Sequence, residues 1–97
     1  MPTTVATLDR LYAIIEQRKA NAPAGSYTAS LFAKGQQEIA KKVGEEAIEV
    51  VLASAASQDE RVIYESADLL YHLLVLLSYH NIKPEVVYLE LERRMKP

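Results

Sequence analysis

Asp59-Glu60-Arg61-Val62-Ile63-Tyr64-Glu65-Ser66-Ala67-Asp68-Leu69-Leu70-Tyr71-His72-Leu73-Leu74-Val75-Leu76-Leu77-Ser78-Tyr79-His80 is the stretch that decides the fold. It shows no sustained period-two alternation and no Asn-Gly or Asp-Gly hairpin signal, so it reads as a helix and not as strands. At about 100° per residue, Leu69, Leu70, Leu73, Leu74, Leu76 and Leu77 cover roughly half of its circumference. Val75 widens the apolar surface further. A helix of this kind needs neighbours on several sides.

Working outward, Ser57-Gln58-Asp59 is a turn, with Asp59 the expected N-cap of the leucine-rich helix. Before the turn, a long helix is expected from Gln36 to Ala56. A short helical piece capped by Thr28 or Ser30 should run through Ala33, with Gly35 near its end. Upstream, Leu8, Leu11, Tyr12 and Ile15 follow the i, i+3, i+4, i+7 pattern of a first helix, with Thr7 as its cap. That helix ends before the breaker-rich Asn21-Ala22-Pro23-Ala24-Gly25. After His80, Asn81-Ile82-Lys83 interrupts, and Pro84 suits the first position of a last helix through Arg94. The fold class is all-α: one domain over residues 1–97, a bundle of four to five helices. Three other helices supply few partners for so apolar a central one, so the bundle is expected to be completed by homodimerisation, most simply about a two-fold axis. A buried central helix in a monomer is the alternative.

The chain is 49% hydrophobic and 25% charged with a net charge of −2, which argues against disorder and gives no electrostatic footprint for nucleic acid. Cysteine is absent, so disulfides, thiolate nucleophiles and cysteine metal sites are excluded. Met1 to Leu8 lacks the basic-then-apolar pattern of a signal peptide. The apolar run Leu69–Leu77 is shorter than the roughly 20 residues that span a bilayer. A soluble cytoplasmic protein with no membrane partner is expected.

The chemistry lies in Glu45-Glu46-Ala47-Ile48-Glu49 and Glu65-Ser66-Ala67-Asp68. On the Gln36–Ala56 helix, Glu45, Glu46 and Glu49 project within an arc of about 100°. Glu38 and Lys42 share that arc, whereas Ile39, Val43, Ala47, Val50 and Val51 oppose it. On the leucine-rich helix Glu65 and Asp68 are i, i+3, and His72 continues their stripe. An antiparallel pairing across the short turn would bring the two stripes within reach of each other. Like charges at these spacings destabilise a helix by about 0.2–0.5 kcal/mol per pair. A hard divalent cation would offset the repulsion, and carboxylates without cysteine select Mg²⁺ or Mn²⁺. A solvated acidic face is the bland alternative. Asp68 weighs against it, because an unpaired charge in the most apolar helix is expensive.

Glu45-Glu46-x-x-Glu49 followed by Glu65-x-x-Asp68 resembles the metal-binding signature of the all-α nucleoside triphosphate pyrophosphohydrolases, which include the MazG-type enzymes. Ser26-Tyr27-Thr28, Phe32, Gly35, the run Ile39 to Glu46, and Glu65 to Leu73 look like the phosphoribosyl-ATP pyrophosphohydrolases of histidine biosynthesis. The likeness runs from about Leu8 to Arg94. It implies a MazG-like fold and hydrolysis of phosphoribosyl-ATP to phosphoribosyl-AMP and pyrophosphate. It also implies a separate phosphoribosyl-AMP cyclohydrolase to take the product, since 97 residues leave no room for that domain. A house-cleaning (d)NTP pyrophosphatase and a non-catalytic helical dimerisation module are the competing readings.

Under the resemblance, Glu46, Glu49, Glu65 and Asp68 are the expected Mg²⁺ ligands, and Glu45 or Glu46 the catalytic carboxylate that activates water. Lys34, Lys41 and Lys42 are candidates for substrate phosphates, Lys42 foremost because it shares the acidic face; ordinary salt bridging explains each equally well. Ser26, Tyr27 and Thr28 form a candidate substrate loop toward ribose or phosphates. Gly44, which costs the helix roughly 1 kcal/mol against Ala, suggests close approach by a neighbouring helix or by substrate. His72 reads as a hydrogen-bonded core histidine.

Overall fold

The computed structural model describes residues 6–97. Within them lie five helices: α1 (Ala6–Asn21), α2 (Tyr27–Lys34), α3 (Gln36–Ala55), α4 (Asp59–Tyr79) and α5 (Pro84–Met95). No strand occurs among the described residues. The all-α reading is therefore correct, and the boundaries expected for α1, α3, α4 and α5 hold to within two residues.

The caps are where local reading and structure part. α1 already includes Ala6 and Thr7, so Thr7 is not its cap. Ser26, not Thr28 or Ser30, caps α2: its hydroxyl accepts from the Ala29 N–H at 3.1 Å. Thr28 is instead buried, and its hydroxyl is hydrogen-bonded to that of Tyr71. Asp59 is the first residue of α4, after Gln58, and meets the positive end of the helix dipole from within the first turn. Gly35 ends α2 and starts α3 at φ 96°, ψ −177°, a conformation open to glycine and strained for other residues.

α3 and α4 both end in Schellman motifs. Gln58 N–H reaches Ala53 C=O and Ser57 N–H reaches Ser54 C=O, each at 3.0 Å, with Ser57 at φ 55°. Ile82 and Asn81 repeat the pattern on Leu77 and Ser78, with Asn81 at φ 58°. The first of these reverses the chain tightly, so α3 and α4 lie side by side as an antiparallel pair. α1 and α2 cover one side of that pair. Their shared core is Tyr12, Ile15, Leu31, Ile39, Leu74 and Val75, with Phe32, Tyr71, Leu76 and Leu77 packed against it.

Polar ties lock α1 onto α4. Ser78, fully buried, donates to the Glu16 carboxylate, and Lys19 donates to the Ser78 carbonyl and to Asn81 Oδ1. The Tyr12 hydroxyl donates to the Ile82 carbonyl at 2.9 Å and fixes the approach to α5. α4 is long and apolar enough to cross a membrane by composition alone. Its buried Glu65, His72 and Ser78 identify it as the central helix of the bundle. Truncating Ile39, which is fully buried where α2, α3 and α4 meet, should lower the unfolding free energy of Ile39→Ala by about 2–5 kcal/mol. Urea denaturation at fixed protein concentration checks this.

Candidate metal centre

The antiparallel pairing sets which carboxylates meet. Moving down α3 from Glu49 to Glu46, the facing residues on α4 move up from Arg61 to Glu65 and Asp68. One carboxylate oxygen from each of Glu46, Glu65 and Asp68 lies within 4.8 Å of the other two. Glu65 is buried, and Glu46 and Asp68 are half-buried. Glu45, Glu46, Ile48, Glu49, Glu65 and Asp68 together line an open cleft of about 410 Å³.

The cations present distribute unevenly over this cleft. Arg61 Nη2 stands 3.3 Å from Glu49 Oε2 and 3.5 Å from Glu65 Oε2, bridging the two helices at the edge of the cluster. Glu45 pairs with Lys42 at 3.6 Å. Among the described residues no cation pairs with Glu46 or Asp68. Burial pushes the Glu46 carboxyl above the usual 4.5, and the charges of Asp68 and Glu65 push it further the same way. Negative charge, offset only at Glu65 by Arg61, thus concentrates where the three oxygens converge. The donor set is oxygen only, and its spacing and charge suit a hard divalent cation. A zinc site would ordinarily draw on histidine or cysteine.

His72, one turn beyond Asp68, stays out of the cluster. Its Nδ1 lies 2.8 Å from the Asp68 carbonyl and its Nε2 2.9 Å from the Tyr27 hydroxyl, so both ring nitrogens are taken. The sequence reading of a hydrogen-bonded core histidine is what the structure shows. Tyr27 stacks near Tyr71 and meets His72 edge-on. Burial raises the Tyr27 phenol, with Lys42 opposing, and Tyr27 and Glu45 in turn raise Lys42.

Of the four expected ligands the structure draws three together; Glu49 lines the same cleft but reaches toward Arg61. None of the three lysines lines the cleft: Lys42, half-buried, reaches its rim through Glu45, whereas Lys34 and Lys41 are exposed. Among the described residues nothing approaches Gly44: a Cβ there would meet open space, so no helix of this chain supplies the close approach. The sequence reading missed Arg61, whose signal was its i, i+4 spacing to Glu65. It also missed Tyr71, whose pairing with Thr28 has no local signature.

An all-α bundle whose central antiparallel pair converges three carboxylates on an open cleft is the arrangement of a MazG-like enzyme. The comparisons narrow this. The phosphoribosyl-ATP pyrophosphohydrolase family profile matches residues 8–95. The phosphoribosyl-ATP pyrophosphatase of Sulfurisphaera tokodaii is 56% identical over 89 residues, covering 92% of this chain and 95% of that protein. The one from Saccharolobus solfataricus is 52% identical over the same coverage, and the one from Geobacter metallireducens 51% identical over 87 residues, 90% of this chain and 80% of its own. The chain belongs to the phosphoribosyl-ATP pyrophosphohydrolase family.

A Glu46 pKa raised by folding means that the native state holds a proton the unfolded chain has released. Its contribution to stability is present below the unfolded value and is lost as pH rises through the folded one. Without divalent cations, the protein should therefore lose stability as pH rises above the usual carboxylate range. Glu46→Gln should flatten that loss and melt higher than the parent at neutral pH. Thermal melts in chelator across this range check both.

Proposed function

We propose that this chain hydrolyses phosphoribosyl-ATP to phosphoribosyl-AMP and pyrophosphate, the second step of histidine biosynthesis, using Mg²⁺ held by Glu46, Glu65 and Asp68, with Glu49 beside them. The observation that carries it is the convergence of those three carboxylate oxygens within 4.8 Å, on helices that the family match spans. Mn²⁺ has the same preference for oxygen and is the expected substitute. A soluble, cytoplasmic setting accords with a diffusible nucleotide substrate.

When bound, Mg²⁺ supplies charge neutralisation to the substrate phosphates and a more acidic water. The protein residues do the rest. Helix packing holds the oxygens of Glu46, Glu65 and Asp68 close together before any cation binds, which reduces the reorganisation needed as charge develops. Glu45 lines the cleft but stands outside the converging group, which leaves it to take a proton from the attacking water; Glu46, with its raised proton affinity, is the second choice. Lys42, paired with Glu45 at 3.6 Å, adds positive charge for phosphate oxygens at the same rim. Arg61 bridges Glu49 and Glu65 at the edge of the group and offsets part of their repulsion.

The same reading includes a homodimer. Ile48, Val51 and Leu52 on α3 and Ile63 and Tyr64 on α4 are each at least 57% exposed, more apolar surface than a small soluble domain leaves in water. Gly44 lies on the stripe of Ile48 and Val51, and its open Cβ position accommodates a close second helix. Ile48 also lines the cleft, so a partner seated on this stripe would border the site.

Pyrophosphate release should be Mg²⁺-dependent and should favour phosphoribosyl-ATP over ATP and dUTP. Preference for dUTP or ATP would instead indicate a house-cleaning enzyme. Asp68→Asn and Glu49→Gln should each lower turnover roughly 100-fold or more with helix content intact by circular dichroism. Near-normal turnover in either variant would remove that residue from the site. Sedimentation should show a dimer, and Ile63→Glu should shift it toward monomer.

A further inference from the structure

We infer that Arg61 is a positioning residue that sets the strength of the divalent-cation site: it competes with the cation for Glu49 and Glu65, so that the cation is held more loosely than the carboxylates alone would hold it. This rests on reading the cleft as a Mg²⁺ site.

Five carboxylates line the cleft, those of Glu45, Glu46, Glu49, Glu65 and Asp68. Among the described residues, two cations pair with them. Lys42 stands 3.6 Å from Glu45, outside the converging group. Arg61 reaches the group itself: its Nη2 lies 3.5 Å from Glu65 Oε2 on α4 and 3.3 Å from Glu49 Oε2 on α3. Glu65 is one of the three residues whose oxygens converge. Glu49 lines the same cleft yet stands apart from those three, and it is the one paired with Arg61. A guanidinium does not deprotonate in a protein, so this charge is permanent.

As a staple between helices the pair is poor. Both distances exceed the roughly 2.7–2.9 Å of a strong charge-assisted bond, and one nitrogen is shared between two acceptors. The Arg61 side chain is also 56% exposed, and exposed ion pairs contribute little to stability. The core through Ile39, Leu74 and Val75 already holds α3 against α4. The effect on a divalent ion is larger, because two positive charges then compete with one for the same carboxylates. A neighbour that strengthens a metal ligand makes it more basic, as a carboxylate does for a metal-bound histidine. A guanidinium on a carboxylate does the reverse. Loose holding suits Mg²⁺, which binds through few carboxylates and completes its shell with water and substrate phosphates.

The test is a Mn²⁺ titration of the full-length protein without substrate, at neutral pH and low salt, following free Mn²⁺ by electron paramagnetic resonance. Arg61→Gln should bind Mn²⁺ roughly tenfold tighter than wild type, whereas Arg61→Lys, which keeps the charge, should stay within about threefold of it. Salt at about 1 M should shrink the difference, since its origin is charge. In a Glu49→Gln background the gain from Arg61→Gln should fall to about threefold or less, because the two residues belong to one pair. Melting gives a second readout. In chelator Arg61→Gln should be no more stable than wild type, and Mn²⁺ should raise its melting temperature further than that of the parent. A plain helix staple would lower both melts equally. Unchanged or weaker Mn²⁺ binding in folded Arg61→Gln would overturn the inference, as would a gain that survives in full beside Glu49→Gln. Should Arg61→Gln fail to fold, Arg61→Met, equally neutral, decides the same titration. Absence of Mn²⁺ binding in wild type and variant alike would refute the cation site and this inference with it, whereas binding without a gain refutes only the role of Arg61.

Discussion

Packing of α3 against α4 forces Glu46, Glu65 and Asp68 into mutual contact range, a placement that electrostatics alone opposes. Three carboxylate oxygens within 4.8 Å of one another repel, and part of that repulsion surfaces as the raised proton affinity of Glu46. The apolar core formed by Ile39, Leu74, Val75 and their neighbours on α1 and α2 holds the two helices in place against it. Nearly every other feature near the cleft follows from this opposition. Arg61 relieves it at one edge by bridging Glu49 and Glu65, and Lys42 relieves it at the other through Glu45.

The cost of such crowding is the usual signature of a functional site in a small domain, where stability is given up locally so that charge is already in position. The cleft is oxygen-rich and negative, which suits a hard cation. Next to it on α4, His72 is tied to the Asp68 backbone carbonyl and packs with Tyr27 and Tyr71.

The exposed apolar stripe of α3 and α4 belongs to the same picture. A chain of 97 residues has few internal partners for its most apolar helix. Leu70 and Leu73 remain partly in water while Leu74 and Val75 are sealed. The stripe adjoins the acidic arc around α3, with Ile48 common to both, so whatever covers the one shapes the other.

The amino-acid sequence by itself determined the helices and the faces they carry. Periodicity placed α1 and α3 to α5 within two residues, and i, i+3 and i, i+4 spacing placed the acidic stripes, because both depend only on the fixed rotation per residue. It erred at the caps, where Thr7, Thr28 and Asp59 have the right chemistry but the backbone starts its helix elsewhere; several small polar residues compete for such a position at nearly equal energy. Only the tertiary structure decided which carboxylates converge, that Glu49 turns to Arg61, and that the Tyr27 hydroxyl is hydrogen-bonded to His72. Those pairings join residues 12 to 45 positions apart, and their geometry is set by how whole helices pack, which no local spacing encodes.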